Sequence, residues 1–248
     1  MFKTTRGLIL REVHYKEADR ILTVLTEDMG KISVKARGAL RKGSRISAAT
    51  QLFAFSELTL FGNKGKWTVN EGSTVEEFKG LRNDISALAL AGYFAECVES
   101  LSDEDSPDPE LLRLILNCLF ALSNEMYPQE HIKTAFELRL MAISGYEPDL
   151  SACSVCGKAQ PDDPYFSTQN GVICCRDCRN AQIDAGIALC SDSLSAMRYI
   201  LGSDMRRMLA YSVPPGAAAK AAYAAELYLQ TKAERRFPTL TYWKQVKT

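Results

Sequence analysis

The sequence predicts an α+β protein in which a five-stranded N-terminal barrel precedes a helical domain that carries a four-cysteine zinc-ribbon insertion. The first 80 residues are rich in Ile, Leu, Val, Thr and Phe with patches of alternation, a pattern typical of strands. From Asn83 onward the apolar residues follow a helical period instead. Five of the eight cysteines lie between residues 153 and 178, and this crowding in a chain of 248 residues favours a metal site over a disulfide scaffold.

Five N-terminal segments have the composition of strands, and glycine-containing turns at residues 28–30 and 62–65 separate two pairs of them. The segments are residues 5–15, 20–27, 31–37, 51–61 and 66–71. We expect residues 38–49 to form a mobile basic loop. A barrel of five short strands without helical crossovers is typical of the OB-fold, which binds oligonucleotides on one face with its loops contributing.

Six later segments have helical periodicity: residues 83–100, 111–122, 128–144, 192–201, 205–211 and 215–236. Asp108-Pro109-Glu110 is a helix start signal, because it combines an N-cap residue, a proline at the first helical position and an early acid. The elements divide the chain into three parts. These are an OB-fold nucleic-acid-binding domain (1–80), a helical domain (81–150 and 181–248) and a four-cysteine zinc-binding insertion (151–180).

Charge is distributed unevenly, although 30 basic and 30 acidic residues give a net charge of zero. Residues 1–80 carry +5, residues 81–150 carry −9 and residues 151–248 carry +4. A basic first segment suits a polyanion, and an acidic second segment repels one. The predicted nucleic-acid-binding residues are cations of the first segment together with one aromatic residue: Lys31, Lys35, Arg37, Arg41, Lys42, Arg45, Lys64, Lys66 and Trp67.

Aromatic residues interleaved with these cations favour single-strand binding, in which rings stack on bases while cations follow the phosphates. Trp67 is the preferred stacking residue, because Phe53 and Phe55 share one strand face and fit the barrel core. The alternative is an ordinary solvated barrel surface that binds no nucleic acid.

Two CxxC pairs form the most specific motif in the chain. Eighteen residues separate Cys153 and Cys156 from Cys175 and Cys178, a spacing expected of a four-cysteine zinc site. Four thiolates leave no position for water, which predicts one structural zinc ion rather than a catalytic one. Cys174 is an alternative to Cys175, although adjacent residues of a strand face opposite sides. The same motif would also fit a CxxC redox pair, or cysteines that bind nothing.

The sequence carries no catalytic signature. His14 and His131 are its only histidines, so a nucleophile–histidine–acid set has little to build on. Phosphate-loop, dinucleotide-binding and zinc-protease motifs are absent, and no run of eighteen apolar residues predicts a membrane span. We therefore expect a cytoplasmic protein that is not an enzyme.

Several stretches resemble the bacterial RecO recombination mediator family and together cover nearly the whole chain. They are residues 5–10, 17–22, 25–30 and 35–38, and the longest is 136–150, which runs into Cys153 and Cys156-Gly157. The C-terminal stretch 235–238 departs from this resemblance, because it matches the family pattern only loosely.

The resemblance implies a non-enzymatic, nucleoid-associated protein that binds single- and double-stranded DNA and anneals complementary single strands. With RecR it would assist RecA loading onto DNA coated by single-strand-binding protein, and its helical region would dock the acidic, hydrophobic C-terminal tail of that protein. The resemblance places five cations on phosphates, namely Lys35, Arg37, Arg41, Lys42 and Arg45, and zinc on the four cysteines. The alternatives are an RNA-binding module built from an OB-fold and a zinc ribbon, and an adaptor whose barrel binds acidic peptide tails.

Overall fold

A computed structural model describes residues 1–179 and 186–247 of the 248-residue chain. The chain divides into two compact units, one comprising Met1–Ser123 and Tyr242–Thr248 and the other Asn124–Thr241. The first unit therefore contains the barrel together with two helices, whereas the sequence predicts that these helices belong to the helical domain. The predicted boundary between residues 180 and 181 lies outside the described residues.

The first unit contains a closed barrel of five strands, which confirms the predicted fold class. The strands are β1 (Phe2–Tyr15), β2 (Asp19–Thr26), β3 (Gly30–Ala36), β4 (Phe55–Asn63) and β5 (Lys66–Glu76). Their order around the barrel is β1-β2-β3-β5-β4. β3 and β5 pair in parallel, whereas the other neighbours are antiparallel. The topology is that of an OB-like barrel.

Alternation decides which side chains fill the barrel. Leu22 and Val24 of β2 are buried, as are Ile32 and Val34 of β3, while the residues between them are more exposed. β1 pairs with both β2 and β4, and a bulge near its middle bends it between the two partners. The strands therefore present one apolar side to the core and one largely polar side to solvent.

Residues 38–49 form turns that pack on the barrel, so the segment is a loop, as the sequence predicts. Ala39, Ile46 and Ala49 are buried in the barrel core and anchor the segment. The strand predicted from residue 51 begins only at Phe55. Phe53 has a φ of 64°, a left-handed conformation that does not continue a strand.

The helices after the barrel begin where the sequence predicts. A short 3₁₀-helix, Lys79–Arg82, precedes α1 (Ile85–Leu101) and α2 (Pro109–Ser123). At the start of α1, the Ser86 N–H donates to Asp84 Oδ1 (2.8 Å). At the start of α2, the Leu111 N–H donates to Asp108 Oδ1 (2.9 Å). Both aspartates satisfy N–H groups that a helix leaves without an internal partner.

The second unit combines packed helices with a small sheet. Its helices are α3 (Gln129–Ile143), α4 (Ser191–Gly202) and α5 (Pro215–Lys232), and its strands are β6 (Asp149–Cys153), β7 (Tyr165–Ser167), β8 (Val172–Cys174) and β9 (Ile187–Ala188). The sheet order is β6-β8-β7-β9, and β7 and β8 form a hairpin. This sheet lies in the predicted zinc-binding insertion and continues just beyond it.

Two helix predictions near the C-terminus are wrong. Residues 205–211 form no helix, and residues 205–209 form turns, since so short a segment gains too few hydrogen bonds to offset helix nucleation. α5 ends at Lys232, and Glu234 has a left-handed φ of 50°. A further helix, α6 (Pro238–Val246), begins at a proline that favours a helix start. None of the described helices is both long and apolar enough to cross a membrane.

A lysine lies inside the second unit between two carboxylates. The Lys133 side chain is 1% exposed, and its Nζ lies 2.9 Å from Glu137 Oε1 and 3.0 Å from Glu226 Oε2. Burial alone would lower the pKa of Lys133, but the two carboxylates outweigh burial and raise it. The ammonium group therefore stays charged and joins α3 to α5.

Candidate nucleic-acid interface and metal centre

The basic loop, which we define as residues 37–45, is held at its start by the barrel. The Gly38 N–H donates to Asp19 Oδ1 (2.8 Å), and the Leu40 N–H donates to the carbonyl of Ala18 (3.0 Å). Gly38 has a φ of 66°, a conformation that glycine adopts without strain. The loop thus leaves β3 through a fixed turn, which gives its cations a defined position beside the β1–β2 turn.

Six exposed cations extend from two turns of the barrel. Four belong to the basic loop and two to the β4–β5 turn: Arg37, Arg41, Lys42, Arg45, Lys64 and Lys66. Within the part of the chain that the structure describes, none of the six has an ion pair or a side-chain hydrogen bond. Their charge is therefore available to a ligand, and phosphate oxygens are suitable acceptors for it.

Lys31 has a different role from the one that the sequence predicts. Its Nζ donates to the carbonyls of Glu99 (2.6 Å) and Ser102 (2.7 Å) at the C-terminal end of α1. A cation at this position satisfies carbonyls that the helix leaves unpaired and opposes the negative end of the helix dipole. The Asp105 N–H also donates to the Lys31 carbonyl (3.3 Å), which fixes the acidic segment 103–105 beside β3. The ammonium of Lys31 is therefore engaged by the end of α1, unlike those of the six exposed cations.

Lys35 is engaged by neighbouring side chains of the barrel. Its Nζ lies 3.0 Å from Asp19 Oδ2 and 4.8 Å from the centre of the Tyr15 ring. The hydrogen bond from the Gly38 N–H and then the interaction with Lys35 lower the pKa of Asp19. Asp19 is therefore ionised at neutral pH and offsets the charge of Lys35, which distinguishes Lys35 from the six exposed cations.

The aromatic residues are arranged differently from the sequence prediction. Trp67 is half-buried, with its ring against the barrel core and close to Gly62, so it is part of the barrel rather than an open platform. Phe53 is buried, as expected of a core residue. Phe61 is 40% exposed and lies against Phe2, which is 61% exposed. Sequence reasoning missed this pair, although the alternation of β4 was a signal that could have found it.

Four cysteine sulfurs converge in the second unit. The Sγ atoms of Cys153, Cys156, Cys175 and Cys178 all lie within 4.8 Å of one another, and 3.7 Å separates those of Cys156 and Cys175. Cys153 ends β6 and Cys175 directly follows β8, and these strands are neighbours in the sheet. The sheet therefore brings the two CxxC turns together. Cys174 is buried within β8 and is not part of the cluster.

The pKa values of the thiols differ across the cluster. Burial alone would raise the pKa of Cys153, but N–H groups of neighbouring backbone donate to its sulfur and lower the pKa to about 6. Burial and the neighbouring sulfurs raise the pKa of Cys175 to about 11. The contact with Cys156, followed by burial, raises the pKa of Cys178 to about 12. Thiols this close do not ionise together readily, because neighbouring thiolates repel each other. A bound divalent cation would offset this repulsion and favour the ionised form of all four.

The donor set fits a structural zinc ion. Sulfurs that lie about 2.3 Å from a tetrahedral ion are about 3.8 Å apart, which is close to the spacing of Cys156 and Cys175. Four thiolates would complete the coordination sphere and leave no position for a water molecule. Gly157, which follows the first pair, has a φ of 74° and closes the first turn without strain.

The closed barrel, the exposed cations and the cysteine cluster define the class: an OB-type barrel protein with an appended helical unit and a four-cysteine insertion. A family profile described as "Recombination protein O N terminal" matches residues 1–78, and another described as "Recombination protein O C terminal" matches residues 82–241. The chain belongs to the RecO family of DNA repair proteins, which confirms the resemblance seen in the sequence.

Relatives from several bacteria are named DNA repair protein RecO. The protein of Acetivibrio thermocellus is 32% identical over 241 residues, which cover 97% of this chain and 95% of the relative. The protein of Alkaliphilus metalliredigens is 34% identical over 216 residues, or 87% of each chain. A protein of Dehalococcoides mccartyi is 35% identical over 202 residues, or 81% of this chain and 79% of the relative.

Proposed function

We propose that the protein is a recombination mediator that anneals complementary single strands of DNA and, with RecR, assists RecA loading onto DNA coated by single-strand-binding protein. The observation that carries this proposal is the set of six exposed cations without ion pairs, among the described residues, on the barrel of a RecO-family chain. The relatives' printed name, DNA repair protein RecO, supports DNA as the substrate.

Annealing requires no covalent chemistry. Two strands repel each other through their phosphates, and cations that neutralise both backbones lower this repulsion while the bases are left to pair. The six cations would contact phosphates of single strands and of duplex, because phosphate contacts carry no sequence information. The function is therefore that of a binding protein rather than an enzyme.

The cysteine cluster has a structural role in this proposal. Cys153, Cys156, Cys175 and Cys178 would hold one zinc ion, which would stabilise the fold of the insertion. The ion would fix the two CxxC turns against the ends of β6 and β8. DNA binding by the barrel would depend on the ion only indirectly.

The proposed partners are those that the resemblance to the RecO family implies. RecR would act with this protein on coated DNA, and the helical region would dock the acidic, hydrophobic C-terminal tail of single-strand-binding protein. The protein would work in the cytoplasm at the nucleoid, where chromosomal DNA lies.

The test is the annealing rate of two complementary strands coated with single-strand-binding protein, with and without this protein. Half of the reactions use an intact coat, and the other half use a coat that lacks its C-terminal tail. We expect acceleration that depends on the tail. A parallel reaction with RNA strands serves as the control, because a mediator of DNA recombination does not require the 2′-hydroxyl.

Each outcome separates the candidate functions. Acceleration that needs the tail supports the mediator function. DNA binding without any acceleration contradicts it and leaves a nucleic-acid-binding module, and a preference for RNA would identify the RNA-binding module. Binding of isolated acidic peptides without binding of DNA would indicate the adaptor.

A further inference from the structure

An aromatic pair lies on the outer face of the barrel. Phe2 of β1 and Phe61 of β4 are paired across the strands, with ring centres 5.2 Å apart and ring planes inclined by 53°. Phe2 is 61% exposed and Phe61 is 40% exposed, so both rings present apolar surface to solvent. The Gly62 N–H donates to the carbonyl of Met1 (2.8 Å), which extends the ladder past Phe2 and holds its backbone in place.

The pair stands at the basic end of β4. Phe61 is paired with Thr68 of β5, so Lys66 is its diagonal neighbour, at about 7–8 Å between Cα atoms. Lys64 lies in the turn that joins these strands. Both lysines are exposed, and neither has an ion pair within the described residues. An apolar ring pair beside cations that have no counter-charge is the combination that a single strand recognises.

Phe61 belongs to a row of paired residues that crosses the outer face of the barrel from β4 through β5 to β3. Thr68 is paired with Lys35 of β3, and β3 leads directly into the basic loop. Adjacent strands are about 4.8 Å apart, so Phe61 and Lys35 are separated by about 10 Å across the sheet. The row therefore connects the aromatic pair with the basic loop over a distance of one or two nucleotides.

We propose that Phe2 and Phe61 form a stacking site for unpaired nucleobases and thereby give the barrel a preference for single strands over duplex. This inference rests on the proposed function, because it assumes that the barrel binds DNA. A duplex keeps the faces of its bases stacked inside the helix, whereas a single strand offers them to a ring. The cations bind both forms of DNA, and the aromatic pair distinguishes between them.

The experiment uses the full chain and three ligands that carry the same number of phosphates: oligo-dT, an abasic strand of the same length and a duplex of half that length. The double variant Phe2→Leu/Phe61→Leu keeps apolar side chains but removes both rings. We expect it to bind oligo-dT about 10-fold more weakly, with unchanged affinity for the duplex and an unchanged salt slope. The intact protein should bind the abasic strand as weakly as the double variant binds oligo-dT.

Two controls establish that the rings themselves matter. Phe61→Tyr keeps a stacking ring and should retain the affinity for oligo-dT. The thermal midpoint of the double variant should stay close to that of the intact protein, because both positions are exposed in the folded state and leucine keeps an apolar side chain there.

The remaining outcomes overturn either this inference or the proposed function, and they are distinguishable. If the intact protein binds no DNA, the proposed function fails. If it binds DNA but the double variant and the abasic strand change nothing, the stacking site is wrong and the proposed function stands. If the double variant instead changes only the sedimentation of the protein, a second copy covers the rings and the stacking site is again wrong.

Discussion

The two units place their ionisable side chains in opposite positions. The barrel has an apolar core and carries its cations outside, and the six of the basic loop and the β4–β5 hairpin have no ion pair among the described residues. The second unit encloses Lys133 between two carboxylates and gathers four thiols into one cluster. Charge outside the barrel is available to a ligand, whereas charge inside the second unit stabilises the fold. Variants of the barrel should therefore change binding without changing stability, and variants of the second unit should do the reverse.

The largest effect is expected at the cysteine cluster. Cys156→Ser and Cys178→Ser should each abolish stoichiometric zinc and lower the thermal midpoint, because structural zinc sites contribute about 10 kcal/mol or more to folding of the segment that they hold. Metal analysis and thermal unfolding measure both quantities. Cys190→Ser, which lies outside the cluster, should keep the ion. Zinc retained at one ion per chain in both variants would refute the assignment.

The next effect tests the buried lysine. Lys133→Met removes the counter-charge that Glu137 and Glu226 share, and we expect a loss of about 3–5 kcal/mol in the free energy of unfolding by urea. The pKa of Lys133 is raised in the folded protein. Its contribution to the free energy of unfolding is therefore fully present below the pKa of an unfolded lysine, and it is lost only as the pH rises through the raised value. The contribution of Lys133 to the stability of the intact protein should thus be constant between about pH 6 and 9.

A matched variant of the barrel sharpens this prediction. Lys66→Met makes the same change at an exposed site without an ion pair among the described residues, and its stability should stay within about 0.5 kcal/mol of the intact protein. Equal losses in the two variants would contradict the comparison between the units.

The third effect concerns binding alone. If all six exposed cations contact phosphates, the slope of log affinity against log salt is about −4.2 on single strands, and Arg37→Ala/Arg41→Ala/Lys42→Ala reduces it to about −2.1. The same relation gives a loss of about 100-fold in affinity at 0.1 M salt. Fluorescence anisotropy over a salt series measures both quantities.

The control for this variant lowers the net charge equally on the second unit, through Arg206→Ala/Arg207→Ala/Lys220→Ala, where all three cations are exposed. It should leave the slope near that of the intact protein. Equal effects of the two triple variants would show that overall charge, rather than the basic loop, determines affinity.

The smallest effect should be a gain. Asp19→Asn removes the carboxylate that offsets Lys35, so one more cation becomes available and affinity should rise about 5-fold at 0.1 M salt, with a slope steeper by about 0.7. The pKa of Asp19 is lowered, so its carboxylate is ionised and paired with Lys35 at any pH above the ordinary pKa of an aspartate. The ion pair is lost only as the pH falls through the lowered value. The gain should therefore not vary between about pH 5 and 8. A slope equal to that of the intact protein would contradict this role of Asp19.

Local patterns predicted most of the fold and the metal cluster. Alternation located the strands, capping aspartates located the starts of α1 and α2, and CxxC spacing located the four thiols. The roles of Lys31 and Trp67 could not be predicted in this way. Lys31 donates to the carbonyl of Glu99, 68 residues away, and Trp67 packs against the core of the closed barrel. Both arrangements depend on tertiary contacts, which local sequence patterns do not reveal.

The acidic segment 103–105, which lies beside the start of β3, makes the two ends of this strand opposite in charge. Asp103, Glu104 and Asp105 are exposed at one end of this strand, and the basic loop begins at the other. Seven residues of strand span about 23 Å, so the potential changes sign over little more than two Debye lengths at 0.1 M salt. A polyanion that ran lengthwise along β3 would be repelled at its far end. The favourable path crosses the strands, which sets the angle at which a bound backbone passes over the barrel.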